Sequence, residues 1–192
     1  MKKIILASKS PRRKQILEQV GLDFTVEISD FDETQIKFKT PQEMVKKLSL
    51  EKAKIIAQKN PNAIVIGADT DVFLNGEILG KPKSKQDAVR ILKLLSGKVH
   101  EVVTGFTVIS DKKSITKHVT SKVKFKKLTE AEIKAYVATG EPMDKAGGYG
   151  IQDKGGVFIE NIEGDYFNIV GLPIFAVSEV LKKFGVEITK GW

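Results

Sequence analysis

What constrains this chain most is the way short apolar runs alternate with marked helix starts along its length. Ile4–Ala7 is a four-residue apolar run of the kind that forms a buried strand. Ser10-Pro11 follows at once, a hydroxyl residue at the cap position with proline at the first helical position. Ile16, Leu17 and Val20 give that helix one apolar face, and Gly21 is its stop. Phe24–Ile28 alternates as a second strand, and residues 29–39 form a polar loop. Thr40-Pro41-Gln42-Glu43 is a capping-box pattern opening a helix that ends near Asn60-Pro61, with Met44, Val45, Leu48, Ile55 and Ile56 on its buried side. Residues 63–66 predict a strand that ends in Gly67-Ala68-Asp69-Thr70. Val72–Leu74, Asn75-Gly76 and Glu77–Leu79 spell a hairpin, because Asn-Gly suits the left-handed positions of a type I′ turn. Ser84 caps a helix that runs to Leu95, closed by Gly97. Two long strands, 99–110 and 114–125, flank Asp111-Lys112-Lys113 as a second hairpin, and Thr129-x-x-Glu132 starts a helix ending by Gly140. Residues 157–162 predict a strand, 173–183 the last long helix, and 186–188 a closing strand. The sum is an α/β fold with a mixed twisted sheet and flanking helices, with binding expected near the carboxyl ends of the first strands.

The 192 residues contain no internal repeat or low-complexity tract, so a single domain over 1–192 is expected. A hydrophobic content of 41% argues against wholesale disorder. Cysteine is absent, which excludes a disulfide scaffold, a thiolate nucleophile, a thiolate zinc site and an iron–sulfur cluster. No stretch approaches the ~18 apolar residues of a membrane span. The opening MKKIILASKSPRR has too short an apolar run for a signal peptide; a soluble cytoplasmic protein is the expectation. A net charge of +8 suits an anionic partner without choosing among nucleotide, nucleic acid and acidic lipid, and scattered lysines also serve plain solubility.

Three constellations could carry chemistry. The first is Ser8-Lys9-Ser10-Pro11-Arg12-Arg13, where two of the three arginines in the chain stand at a helix start. Unpaired N–H groups at a helix amino end attract anions, Ser8 and Ser10 add hydroxyl donors, and guanidinium forks bind phosphate oxygens in pairs. An ordinary capped surface helix with solvated arginines is equally consistent with those residues. The second is Asp69, in Ile66-Gly67-Ala68-Asp69-Thr70-Asp71. A carboxylate at a strand's end among small residues is placed for metal binding or general-base work, or simply for capping a turn. Lys52, Lys81 in Gly80-Lys81-Pro82, and Glu33 could join it, the lysines neutralising phosphate and Glu33 sharing a cation; each also reads as a solvated charge. The third is residues 144–152, Asp-Lys-Ala-Gly-Gly-Tyr-Gly-Ile-Gln, in a segment with five glycines between Asp144 and Gly156. Gln152 carries a donor and an acceptor on one amide, which matches the O4 and N3–H edge of uracil or thymine; an exposed glutamine on a structural turn is the plainer reading. His100 and His118 fall in strands without catalytic or metal-ligating spacing and read as structural.

Taken together, LASKSPRRKQIL, the Asp32-Glu33 pair, Glu51-Lys52-Ala53, IGADTDV, ILGKP, LLSGKVHEVVTGF, DKAGGYGIQDKGG and NIVGLP resemble the Maf family of nucleoside triphosphate pyrophosphatases, in the family's order from residue 4 to 173. That resemblance implies a mixed α/β fold of two lobes around a deep cleft, related to the inosine triphosphate pyrophosphatases. It implies hydrolysis between the α and β phosphates with a divalent cation, Mg²⁺ or Mn²⁺. Carried onto this sequence, it gives Ser8 and Arg13 to the phosphates, Glu33, Lys52 and Lys81 to the active site, and Asp69 to the general base; beside these, the residues themselves lead us to expect Ser10 on the phosphates and Glu33 and Asp69 as metal ligands. Arg12, Thr70 and Gln152 resemble the branch that acts on dTTP and UTP. Gly148, Phe106 and Asp165 depart from the family's usual residues. The resemblance further implies a homodimer, no stable nucleic-acid or membrane partner, and a link to arrest of cell division. The same chemistry on 7-methyl-GTP or another base is one alternative; a non-catalytic nucleic-acid-binding or septum-associated protein is another.

Overall fold

Strand β1 (Ile4–Ala7) is buried on both faces, as an apolar run inside a parallel sheet should be. The structure is a computed structural model that describes residues 2–111 and 113–192. From β1 the chain enters helix α1 (Pro11–Gln19) and returns as β2 (Thr25–Glu27), parallel to β1. Helix α2 (Pro41–Lys59) then carries it to β3 (Ile64–Leu74), which lies parallel to β1 on the opposite side from β2. Successive crossovers to opposite sides of one strand make a switch point at its carboxyl end, where open α/β sheets bind ligands.

The remaining strands are β4 (Glu77–Ile78), β5 (Val99–Ser110), β6 (Lys113–Phe125) and β7 (Ile159–Glu163). The described residues pair in the order β2-β1-β3-β5-β6-β7, with β4 paired to β3. Parallel and antiparallel ladders coexist, so the sheet is mixed as expected. The other helices are α3 (Lys85–Leu95), α4 (Glu130–Ala138), α5 (Tyr166–Val170) and α6 (Ile174–Lys182). The chain divides into two compact units, one of residues 1–69, 104–119 and 171–192, the other of 70–103 and 120–170.

In the first unit, Ile5, Ala7 and Val65 face Ala53 and Ile56 of α2, which fixes that helix against the parallel strands. Two glycines let α2 come close. A β-carbon on Gly67 would lie 2.4 Å from the Ser49 carbonyl, and one on Gly105 would lie 2.3 Å from the carbonyl of Val45. In the second unit, Ile91, Leu92 and Leu95 of α3 and Ile133 and Val137 of α4 pack with Val123, Phe125, Tyr149 and Phe158.

The turn chemistry follows the sequence in most places. Asn75 and Gly76 take positive φ in the β3–β4 turn. Ser84 accepts the N–H of Asp87, and Thr129 and Glu132 form both halves of a capping box. Four expectations are corrected. The Ser10 hydroxyl makes no capping bond; the Ser10 N–H donates to Ser8 Oγ instead, at 3.2 Å. Glu43 reaches past the cap to the Lys39 N–H, so only the Thr40 half of that box forms. Residues 186–188 form no strand, and the end of the chain winds into a short 3₁₀ turn over Ile188–Gly191. The strand expected at 157–162 begins two residues later, because residues 154–158 are taken up by a 3₁₀ turn. In the second hairpin, Lys112 lies outside the described residues.

Candidate active site

The chain does not leave the sheet at Gly67. Strand β3 continues through Asp69 and Thr70 to Leu74, so Asp69 stands inside a strand and not at its end. Side chains two residues apart in a strand share a face. Gly67 and Asp69 therefore both look toward α2, and the missing side chain at Gly67 admits the helix backbone there. On α2, Ser49, Lys52 and Ala53 share one face at helical spacing. Ser49 and Ala53 are the residues that meet Gly67, and Lys52 between them reaches Asp69.

Lys52 Nζ donates to Asp69 Oδ1 at 2.6 Å and lies 2.7 Å from Glu33 Oε1. One ammonium thus draws in two carboxylates separated by 36 positions of sequence. Asp69 is only 8% exposed, whereas the Glu33 side chain is 57% exposed. Glu33 opens a 3₁₀ turn held by the Asp32 carboxylate, which accepts from the Thr34 N–H.

Arg13 ties three segments together. Its Nη1 donates to Ser8 Oγ at 3.1 Å and to the Ala68 carbonyl at 2.8 Å, and its Nε donates to the Gly171 carbonyl at 2.8 Å. The ladder explains the first two: Ala7 is opposite Gly67, so the next residues, Ser8 and Ala68, emerge side by side. Desolvation lowers the Arg13 pKa from its ordinary value, and neighbouring Arg12 lowers it further; Asp69 and Glu33 oppose that by attraction. A guanidinium remains protonated under such shifts. Arg13, Asp69, Glu33 and Lys52 therefore form one electrostatic cluster, with Ser8 beside it.

Six of the residues singled out in the sequence gather here: Ser8, Arg12, Arg13, Glu33, Lys52 and Asp69, with Ser10 one hydrogen bond away from Ser8. Thr70, Lys81 and Gln152 belong to the second unit. Lys81 and Gln152 are exposed there, and Thr70 is half-buried. Two participants escaped sequence reading, the carbonyls of Ala68 and Gly171. Gly171 lay in the NIVGLP stretch, but nothing in a sequence announces a carbonyl that accepts from an arginine 158 positions away.

The donor set suits a hard divalent ion in part. Among the described residues no cluster of three or more His, Cys, Asp and Glu forms a cage. Two carboxylates converging on one positive charge match the way Mg²⁺ is held, by one or two carboxylates with water and phosphate oxygens completing the shell. Among the described residues no helix is long and apolar enough to cross a membrane.

A dTTP/UTP pyrophosphatase of Bacillus anthracis is 49% identical over 189 residues, covering 98% of this chain and 99% of that protein. One of Bacillus cereus is 48% identical over 189 residues, covering 98% and 93%. Among solved structures, the Staphylococcus aureus Ham1 protein overlaps with a TM-score of 0.46 and 16% identity, over 65% of this chain and 72% of that one. The family model described as Maf-like protein matches residues 3–184, a span that holds every residue of the cluster above, and the chain belongs to that family.

Proposed function

We propose that the protein hydrolyses dTTP and UTP to the nucleoside monophosphate and pyrophosphate. The observation that carries this reading is the convergence of Lys52 on Asp69 and Glu33 beside the Arg13–Ser8 pair. Cations set among carboxylates can bind a polyphosphate and handle a proton in one place. The choice of base rests on the two Bacillus relatives, whose names specify dTTP and UTP.

In the proposed reaction, water attacks the α-phosphorus and gives its proton to Asp69. Lys52 occupies Oδ1, so the second carboxylate oxygen, Oδ2, is the assigned base. The bond from the α-phosphorus to the α–β bridging oxygen breaks, and pyrophosphate leaves. Lys52 and the amino end of α1 with Ser8, Ser10 and Arg12 stabilise the charge that develops on the phosphoryl oxygens. Arg13 holds the β1 turn against β3, which keeps that end of α1 in place. Glu33 and Asp69 would hold a Mg²⁺ or Mn²⁺ ion, which supplies charge neutralisation on the phosphates. Roles for Lys81 on the phosphates and for Arg12, Thr70 and Gln152 on the base come from the resemblance and are proposed on that footing. The protein is proposed to act in the cytoplasm, on free nucleotide and not on nucleic acid.

The test is pyrophosphate release from each common and modified triphosphate with Mg²⁺ or Mn²⁺, for the native protein and for Asp69→Asn. Turnover should be highest on dTTP and UTP. The variant should stay folded and lose roughly 10²–10⁴-fold in kcat, the usual worth of a positioned base. A variant that keeps its turnover removes the base role from Asp69. A preference for 7-methyl-GTP replaces the base assignment while leaving the chemistry.

A further inference from the structure

The segment that carries Gln152 is closed by two side chains that no sequence pattern singled out. Tyr136, in the last turns of α4, is part of the aromatic core, with its ring edge-on to Phe158 at 5.0 Å between centroids. Its hydroxyl donates to Glu141 Oε1 at 2.7 Å and accepts the Gly150 N–H at 3.3 Å. The Glu141 carboxylate also accepts the Gly155 N–H on Oε1 at 3.1 Å and the Lys154 N–H on Oε2 at 3.2 Å. The phenol therefore holds the start of the Gly150–Gly155 turn and the carboxylate holds its end. Gln152 stands exposed between them.

The inside of the turn has no slack. A β-carbon on Gly155 would lie 2.6 Å from the Tyr136 hydroxyl, and one on Gly150 would lie 2.7 Å from Lys145 Cε. Lys145 threads the other side, donating to the Glu141 carbonyl at 3.0 Å and to Asp144 Oδ1 at 2.8 Å, and lying 3.6 Å from Asp153 Oδ2. The Asp153 N–H closes on the Gly150 carbonyl at 3.3 Å. Of the groups that hold the turn, Tyr136 is fixed in α4 and the aromatic core, Lys145 is buried, and Glu141 sits in the short 3₁₀ turn Glu141–Asp144 that follows α4. Such support is what keeps a recognising side chain in one orientation.

We propose that Tyr136 and Glu141 are positioning residues for base selection: their hydrogen-bonded pair clips the Gly150–Gly155 turn and so fixes the amide of Gln152. The inference rests on the base-reading role given to Gln152 under the proposed function. It predicts that the clip governs discrimination between bases more than the rate of the chemical step.

Four variants of the full chain test it: Gln152→Ala, Tyr136→Phe, Glu141→Gln and the double change Gln152→Ala with Tyr136→Phe. Tyr136→Phe keeps the ring in the core and removes only the hydroxyl, so it is the variant expected to fold even where Glu141→Gln does not. The readout is kcat and KM for UTP against CTP and for dTTP against dCTP, with thermal unfolding as a control. Gln152→Ala should reduce the preference for the uracil and thymine nucleotides. Tyr136→Phe and Glu141→Gln should reduce it by roughly tenfold, the worth of one well-placed hydrogen bond, through KM and with kcat on UTP nearly kept. The double variant should lose no more than Gln152→Ala alone, because the clip acts through that amide. If Gln152→Ala shifts selectivity and the clip variants do not, or if the double variant shows the two losses adding, the clip inference is overturned and the base assignment stands. If Gln152→Ala itself leaves selectivity unchanged, the base assignment fails and takes the inference with it.

Discussion

Replacing Gly67 by alanine places a methyl group where α2 leaves no room. The new β-carbon would sit 2.4 Å from the Ser49 carbonyl oxygen and 2.8 Å from Ala53 Cβ. Neither neighbour is the flexible tip of a side chain; one is helix backbone and the other a β-carbon. Gly67 does not have a positive φ, so an alanine fits the backbone and the whole effect is spatial. A relaxed contact needs about 3.5 Å, so α2 must retreat from β3 by about 1 Å at this point. Overpacking of this kind costs about 1–3 kcal/mol. Lys52 lies between Ser49 and Ala53, so the retreat lengthens the 2.6 Å bond from Nζ to Asp69 Oδ1. A misplacement of about 1 Å near the chemistry can cost ~10²-fold; the four-carbon stem of lysine absorbs part of it, so a loss of about tenfold or more in kcat/KM is expected. Urea unfolding gives the stability change from the midpoint at constant m, and pyrophosphate release gives the activity. Gly105→Ala is the matched control. Its β-carbon would strike the same helix at Val45, 2.3 Å from the carbonyl carbon, about 10 Å along the axis from Lys52. It should lose similar stability with a smaller loss of activity. If Gly67→Ala turns over like the native protein, the close approach at Gly67 does not set the Lys52–Asp69 pair.

Two further outcomes are expected. Arg13→Lys keeps the charge but cannot reach Ser8 Oγ, the Ala68 carbonyl and the Gly171 carbonyl together, so it should cost about 2 kcal/mol in chemical denaturation and weaken substrate binding. His100 is buried with Nε2 2.8 Å from the Tyr149 hydroxyl, Nδ1 has no partner among the described residues, and burial lowers its pKa to about 4. The unfolded chain takes up this proton near 6.5 and the native state only near 4. The contribution of His100 is therefore complete above pH 6.5 and is lost as the pH falls through this window, by roughly 3 kcal/mol at most. Unfolding free energies measured from pH 7.5 to 4 should fall more steeply for the native protein than for His100→Gln; parallel curves would remove His100 as the cause.

Elements whose signals are local were legible. Asn75-Gly76, Ser84 and the Thr129–Glu132 box act within a few residues of themselves, and each forms as read. Helix α5 was not read, although its signal is local as well: Asp165 Oδ1 accepts the N–H groups of Phe167 and Asn168 at 2.8 and 3.3 Å. Five residues are too few to show an apolar period, so the cap alone would have had to announce the helix. The end of strand β3 failed for a different reason. Glycine and aspartate are depleted in strands, and Gly67-Ala68-Asp69-Thr70-Asp71 reads on propensity as an exit from the sheet. The structure keeps this segment in β3 because distant groups complete it. The backbone of α2 fills the space at Gly67, the Lys52 ammonium meets Asp69, and the Arg13 guanidinium takes the Ala68 carbonyl. A strand that breaks its own local rules needs partners from elsewhere in the chain, and here those partners are the cations of the proposed phosphate site. The misread strand end and the candidate site are thus one place seen twice. Propensity fails at β3 because Lys52 and Arg13 supply the partners that the segment's own residues lack, so the cations that hold the strand in the sheet are the same ones that the proposed function places at the phosphates.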